Sequence, residues 1–221
     1  MARAPERPRL LVEGSDDQHS IVHLLIRNGV RYHPDGIDAS PPDLPKVVPS
    51  GGIEQLIEGI ETAVLTSNER AVGFLMDADA SLIVRWRQVQ NELSKVGVQV
   101  LPVRPPAEGF IGESTTYGTR VGVWIMPDNV QDGKLENFLM TLVQKEDPLI
   151  GHAQASTAKA KDQGAAFSDP DTIKATIHAW LAWQEEPGLP YGTAIRARYF
   201  GHDSTIAATF VNWFKSLYKL T

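Results

Sequence analysis

The chain has 221 residues, of which 42% are hydrophobic and 22% charged, and its formal net charge at pH 7 is −6. This is an ordinary globular composition, and the negative charge argues against binding nucleic acid over the whole surface, although a local basic face could still hold a phosphate backbone. The chain has no cysteine, which excludes disulfides and thiolate metal sites, so any metal must be held by oxygen or by the six histidines. No apolar segment is long enough to cross a bilayer, and the N-terminus MARAPERPR lacks the apolar region of a signal peptide, so we expect a cytoplasmic protein.

Short apolar runs alternate with amphipathic segments over the first half of the chain. Strands are expected at residues 9–14 (RLLVEG), 46–49 (KVVP), 71–76, 98–103 and 121–126 (VGVWIM), and helices at residues 16–27, 53–67 and 82–96. Ser15 and Gln18 fit a capping box for the first helix, Asn28 and Gly29 fit its end, and the glycine pair 51–52 fits the start of the second. The alternation is typical of βα units that build a parallel sheet covered by helices.

The second half of the chain reads as mainly helical. Helices are expected at residues 134–145, 154–163, 170–184 and 204–220, whereas residues 185–193 (EEPGLPYGT) contain too much proline and glycine for regular structure. We therefore expect an α/β protein with one domain over residues 1–221, made of a sheet core at about 7–128 and a helical extension at 129–221.

Acidic residues end two of the expected strands. The stretch LMDADAS (75–81) closes the third strand with Asp77 and Asp79, and LLVEGSDD (10–17) closes the first with Glu13. If the strand continues to Asp79, its two aspartates face the same side, and the carboxyl edge of a parallel sheet is where ligands bind. Three like charges in a small volume would raise one another's pKa, so a Mg²⁺ or Mn²⁺ ion between them is the simplest explanation. Alternatively, Asp79 could be the N-cap of the next helix.

These two motifs resemble the Toprim domain of topoisomerases, primases and the overcoming-lysogenization-defect nucleases. The resemblance implies a Toprim-like parallel-sheet core in which Glu13 assists proton transfer or joins the metal site, while Asp77 and Asp79 bind Mg²⁺. In the nuclease branch an acidic residue also follows the glutamate by four positions, where this chain has Asp17, and a lysine stabilises phosphate charge, for which Lys174 is the candidate. The stretches beginning VGVWIMPDN and IKATIHAWL look like small stand-alone Toprim-like proteins.

Several other residues have a functional interpretation beside a structural one. Asp128 and Glu136 could complete a second metal position, or could be turn and first-turn acids. Asp16 and Asp17 could simply complement the helix dipole, and Lys174 could face solvent. His178 shares a helix face with Lys174 but is more often a packed residue than a ligand. The tryptophans at 180, 183 and 213 could stack on bases, although their helical spacing favours a core position.

The partner expected from this interpretation is nucleic acid, either DNA or RNA. Arg85, Arg196 and Arg198 are candidate phosphate contacts. Domains of the Toprim type occur beside ATPase subunits in bacterial defence systems. Because this chain has no Walker motif of its own, the resemblance implies a separate ATPase subunit as a further partner. A homo-oligomer is compatible with the sequence.

The leading hypothesis is thus a Mg²⁺- or Mn²⁺-dependent enzyme that cleaves phosphodiester bonds. A second hypothesis keeps the fold without catalysis, as a metal-binding or partner-binding regulatory module. A third is a phosphoacceptor domain of the receiver type, with Asp77 as acceptor. However, Glu13-Gly14 replaces the adjacent acidic pair expected at the end of the first strand, and no lysine closes a fifth strand in the expected Lys-Pro context.

Overall fold

Five short segments form one sheet in the computed structural model, which describes residues 7–34 and 39–221. The strands are β1 (Arg9–Val12), β2 (Lys46–Pro49), β3 (Val72–Asp77), β4 (Phe110–Ser114) and β5 (Thr119–Met126). Their order across the sheet is β2-β1-β3-β5-β4. The neighbouring strands β2, β1, β3 and β5 run parallel to one another. The edge strand β4 pairs with β5 in the antiparallel direction.

Eight α-helices surround the sheet in the described part of the chain. They are α1 (Ser15–Arg27), α2 (Ile53–Leu65), α3 (Leu82–Lys95), α4 (Leu135–Met140), α5 (Pro148–Asp162), α6 (Thr172–Leu181), α7 (Tyr191–Arg196) and α8 (Thr205–Tyr218). The protein therefore has the α/β fold that the alternating pattern predicts. None of the helices in these two ranges has the length and apolar character needed to span a membrane.

Each face of the sheet packs against its own set of helices. The helices α2 and α3 cover one face around Phe74 and Trp86. The other face carries α1 and the helices that follow β5, and Leu10 of β1 shares this core with Phe210 of α8. The helical extension is thus built into the same core as the sheet.

Two neighbouring glycines let α8 lie very close to the sheet. Gly73 of β3 is paired with Gly122 of β5. A Cβ atom on Gly73 would lie 2.5 Å from the hydroxyl oxygen of Tyr218, and one on Gly122 would lie 2.5 Å from a methyl carbon of Leu217. The Tyr218 hydroxyl also donates a 2.7 Å hydrogen bond to the carbonyl of Arg9, which fixes the end of α8 to β1.

The sheet differs from the expected one at its edge. Residues 98–103 form no strand, because Val100 and Val103 are 87% and 90% exposed and a proline stands between them. The fourth strand is instead Phe110–Ser114, and its hairpin with β5 makes the sheet mixed rather than wholly parallel. Strand β4 contains Gly112, and a glycine inside a strand weakens both the strand and its sequence pattern. The position of β4 at the edge of the sheet tolerates this residue.

Three helix starts also differ from expectation, and one of them is that of α5, which begins at Pro148, six residues before the expected start. Gly14, not Ser15, is the N-cap of α1, and the residue three positions into the helix is Asp17, whose Oδ2 accepts a 2.8 Å hydrogen bond from the Gly14 N–H. Within residues 185–193, helix α7 begins at Tyr191 directly after Pro190, a residue with a φ suited to a helix start.

Candidate functional site

A cavity of about 350 Å³ opens at the carboxyl edge of the sheet. Its charged lining residues are Glu13, Asp16, Asp17, Asp77, Glu136 and Lys174. Because β1 and β3 are parallel neighbours with Val12 opposite Leu75, the acids that end these strands reach the same edge. The cavity is thus lined by Glu13, Asp17, Asp77 and Glu136, four of the six acids that the sequence suggests as metal ligands.

Glu13 is held by its backbone at the end of β1. Its carbonyl oxygen accepts hydrogen bonds from the N–H groups of Gly51 and Gly52, at 3.2 and 3.0 Å, which ties the start of α2 to the site. Its carboxylate oxygen Oε2 is buried and has no hydrogen-bond partner. Burial and the negative charge of Asp79 raise the pKa of Glu13. A buried oxygen without a partner is costly, which makes Glu13 a ready acceptor for a cation or a proton.

Asp77 is the most strongly perturbed acid of the cavity. Its Oδ1 accepts a 2.9 Å hydrogen bond from the backbone N–H of Leu135, at the start of α4. Burial first, and then the negative charges of the neighbouring carboxylates, raise the pKa of Asp77 to about 9. The ionised form of this side chain is therefore strongly disfavoured unless a positive charge approaches it.

Asp17 lies beside these acids on the first turn of α1. It is 7% exposed. Burial raises its pKa to about 6, with a further contribution from the charge of Glu13 and an opposing hydrogen bond from Gly14. The structural role at the helix start and a place in the cavity therefore coexist in this residue.

Asp79 does not project beside Asp77. The chain leaves the strand after Asp77, and Asp79 has a left-handed backbone with φ of +53°. Its carboxylate lies 2.7 Å from Arg85 and 3.8 Å from Lys134, so two cations compensate it. Ser81, not Asp79, is the N-cap of α3. Asp79 acts on the cavity through its charge rather than by lining it.

Arg85 is occupied by contacts within the protein. Its guanidinium donates to the Asp77 carbonyl at 2.9 Å, to Asp79 at 2.7 Å and to Gln88 at 2.9 Å. Only 12% of its side chain is exposed. These contacts give Arg85 a role in holding the turn after β3 and leave little of it for a phosphate.

The opposite wall of the cavity comes from the helical extension. Glu136 of α4 is 7% exposed, and its Oε1 lies 3.7 Å from the Lys174 ammonium and 3.4 Å from the Tyr191 hydroxyl, which donates to it. The Tyr191 hydroxyl also lies 3.2 Å from Nε2 of His178, and the two rings are stacked. Lys174 and His178, one turn apart on α6, thus both reach the group around Glu136.

Tyr191 is a site residue that the sequence analysis does not identify. It lies in the segment expected to be irregular, and its partners come from helices that are distant in sequence. The available signal was local: a proline directly before the tyrosine is typical of a helix start.

The remaining candidates lie outside the cavity. The carboxylate of Asp128 accepts hydrogen bonds from the N–H groups of Val130 and Gln131, as a turn residue does. Trp180 and Trp213 are buried in the core, whereas Trp183 is 41% exposed. Arg196 and Arg198 line a separate pocket at the far end of α1.

The cavity fits a hard divalent cation by its donors and its charge. All its candidate ligands are carboxylates, the ligand type that Mg²⁺ and Mn²⁺ prefer, and Glu13 Oε2 lacks a partner. Within residues 7–34 and 39–221, however, no three His, Cys, Asp or Glu side chains are already gathered around one point as metal ligands. One oxygen each of Asp17 and Asp77 accepts a backbone hydrogen bond instead. The fit is therefore one of donor chemistry and charge, not of a completed ligand shell.

Comparison with known proteins gives a family but no activity. A family model described as "Protein of unknown function (DUF3226)" matches residues 7–219. No curated protein and no solved structure matches the chain.

Proposed function

Since the chain belongs to the DUF3226 family, whose description names no activity, we propose its function from the site: a Toprim-type enzyme that uses Mg²⁺ or Mn²⁺ to cleave phosphodiester bonds in nucleic acid. The observation that supports this most is the meeting of four carboxylates in one cavity, with Oε2 of Glu13 buried and unpaired. A buried carboxylate oxygen without a partner is costly, and a bound cation would compensate it.

In this proposal the cavity holds the metal and its rim holds the substrate. Glu13, Asp17, Asp77 and Glu136 are the candidate ligands. A divalent ion bound there would neutralise phosphate charge and lower the pKa of a coordinated water. Lys174, whose side chain is 49% exposed beside Glu136, offers a positive charge to a phosphate oxygen.

Asp79 has a different part in this proposal from the one its motif implies. Because Arg85 and Lys134 already compensate its charge, Asp79 positions the turn after β3 and sets the potential at Glu13. A cytoplasmic location, a nucleic-acid substrate and a separate ATPase partner complete the proposal on the grounds given by the sequence.

The test is cleavage of plasmid and single-stranded DNA and of RNA, with Mg²⁺ or Mn²⁺. We expect metal-dependent cleavage by the wild type, and roughly a hundredfold or greater loss in Glu13→Gln and in Asp77→Asn, because each substitution removes an anionic ligand and keeps the side-chain shape. Metal binding is measured by calorimetry on the same proteins.

The matched controls are Glu58→Gln and Asp162→Asn, which remove the same charges at exposed positions on α2 and α5. Both should keep the wild-type rate. Metal binding without cleavage, either alone or with an ATPase partner, would favour the regulatory module instead, and labelling of Asp77 by acetyl phosphate would favour a phosphoacceptor. Absence of Mg²⁺ and Mn²⁺ binding would contradict the proposal.

A further inference from the structure

A second pocket, of about 510 Å³, lies at the end of α1 that is remote from the carboxylates. Its lining residues that can carry positive charge are His23, Arg27, Arg196, Arg198 and His202. No acidic residue is among the residues that line it in the described part of the chain. In a protein of net charge −6, such a cluster is a local reversal of the surface potential.

In this basic pocket Arg27 is held in place by the protein, and Arg196 and Arg198 are not neutralised. Arg27 donates to the carbonyl groups of Ile195, Phe200 and Gly201 and lies 2.9 Å from Nδ1 of His202. Arg196 and Arg198 are exposed and make no ion pair within residues 7–34 and 39–221.

The pKa shifts of His23 and Arg27 also indicate that positive charges crowd the basic pocket. Burial, followed by the charge of Arg196, lowers the pKa of His23. Burial and the charge of Arg198 lower the pKa of Arg27, and the charge of Asp203 opposes this only in part. An anion entering the basic pocket would relieve this crowding of cations.

The backbone of Arg198 ends helix α7 and fixes where its side chain starts. Its φ is +69°, and the N–H groups of Arg198 and Tyr199 donate to the carbonyls of Ile195 and Ala194. This is the Schellman motif of a helix end, and it places Arg198 beside the basic pocket.

Two packed helices connect the basic pocket with the carboxylate cavity. Helix α1 carries Asp17 on its first turn and ends with Arg27, and ten residues of helix rise about 15 Å. Helix α7 packs beside it, with Gly192 directly against His19. Tyr191 at the start of α7 donates a hydrogen bond to Glu136 of the cavity, while Arg196 at its end lines the basic pocket.

We infer that the basic pocket binds a backbone phosphate of a nucleic-acid strand whose other end reaches the carboxylate cavity. The assignment of the scissile phosphate to the cavity rests on the proposed function. At a rise of about 3.4 Å per nucleotide of a stacked strand, a separation of about 15 Å corresponds to roughly four nucleotides. A polymer of phosphates can occupy both places at once, whereas a mononucleotide is too short to do so.

The test is fluorescence anisotropy of labelled single strands, about three and about twelve nucleotides long, over a range of salt concentrations. Binding is measured in EDTA, so that it depends neither on a metal nor on cleavage. The double variant R196A/R198A should bind the longer strand at least about tenfold more weakly, and its salt slope should be smaller by about 1.4, the value for two lost contacts to a single strand. The three-nucleotide strand, which is too short to reach both places, should bind the wild type more weakly than the longer strand does.

The control is R87A/R104A, which removes the same charge from two exposed positions outside the basic pocket. It should keep the wild-type affinity and salt slope, and thermal melting should show that both double variants are folded. The inference is overturned if R196A/R198A and R87A/R104A weaken binding of the longer strand equally, or if neither weakens it. So does loss of binding to anionic lipid vesicles in R196A/R198A when the wild type binds no oligonucleotide.

This inference and the proposed function can fail separately. If the strand binds as expected but no condition gives cleavage, the basic pocket is supported and the enzyme is not. If R196A/R198A cleaves the twelve-nucleotide strand with unchanged kcat and KM, the enzyme is supported and the basic pocket is not.

Discussion

At the scale of single residues, the position of Glu136 depends on Tyr191. Burial and the charge of Glu136 raise the pKa of Tyr191 well above its usual value, so the hydroxyl stays protonated and donates to the carboxylate. His178 contacts the same hydroxyl from α6. Tyr191 is therefore a positioning residue, since it acts on the candidate ligand and not on a substrate.

The substitution Tyr191→Phe tests this role. We expect metal affinity to fall by about tenfold, the usual cost of losing a group that orients a ligand. The free energy of unfolding should change by only about 1 kcal/mol, since one hydrogen bond is lost. Calorimetric titration with Mn²⁺ and urea denaturation measure the two effects.

The matched control for this change is Tyr199→Phe, whose hydroxyl accepts a hydrogen bond from the N–H of Glu186. It should leave metal affinity unchanged. A Tyr191→Phe protein that loses stability but binds Mn²⁺ as the wild type does would contradict the positioning role.

At the scale of elements, the close contact between α8 and the sheet depends on the glycines of β3 and β5. The side chains of Leu217 and Tyr218 occupy the space in which Cβ atoms of Gly73 and Gly122 would lie. Because α8 also brings Phe210 and Phe214 into the core, a small displacement of this helix disturbs packing over much of one face.

The substitution Gly73→Ala should therefore destabilise the protein. Its new methyl group would lie 2.5 Å from the Tyr218 hydroxyl and 2.8 Å from a methyl group of Leu10. We expect a loss of about 1–3 kcal/mol in the free energy of unfolding, measured with urea.

Gly151→Ala is the control for this prediction, because Gly151 lies within α5 and a Cβ there would have no neighbour within 4 Å. It should stabilise the protein by up to about 1 kcal/mol through helix propensity. Equal stability of Gly73→Ala and the wild type would show that α8 can shift at no cost.

At the scale of the whole molecule, the carboxylate cavity links stability to pH and, in the proposed function, to metal. In the folded protein the pKa of Asp77 is about 9 and that of Asp17 about 6, both above the usual value of 3.8. The unfolded chain therefore releases these protons at lower pH than the folded one. The stability they contribute is fully present below about pH 4 and is lost as the pH rises through about 6 and about 9.

We expect Asp77→Asn to make the protein more stable than the wild type at pH 8 in EDTA. The amide keeps an oxygen for the Leu135 N–H and carries no charge. The difference between the two proteins should shrink toward pH 4 and below, where Asp77 becomes protonated in the unfolded chain as well. Urea denaturation at a series of pH values measures this difference.

Added Mg²⁺ should stabilise the wild type at pH 8 and have a much smaller effect on Asp77→Asn, because a ligand that binds only the folded state raises stability by mass action. Asp162→Asn, at an exposed position, should respond to Mg²⁺ as the wild type does. An identical response of all three proteins would contradict a metal site at Asp77.

The sequence predicts the parts of this molecule that depend on local pattern. Apolar runs with acidic ends locate Glu13 and Asp77 at the ends of β1 and β3, and parallel pairing then brings them together. The turn at Asp79 and its contact with Arg85 depend on the bridge to Gly133, which is more than 50 residues away in the chain. Tyr191 and β4 were missed for a similar reason, since tertiary contacts override their weak local signals.

One wall of the carboxylate cavity comes from the chain before β4 and the other from the chain after β5, which has a consequence for the nascent polypeptide. Glu13 and Asp77 leave the ribosome early, whereas Glu136, Lys174 and Tyr191 follow only after β5. An incomplete chain therefore exposes an acidic edge with no opposite wall and no lysine. In the proposed function, the complete site therefore forms only after synthesis has passed α7.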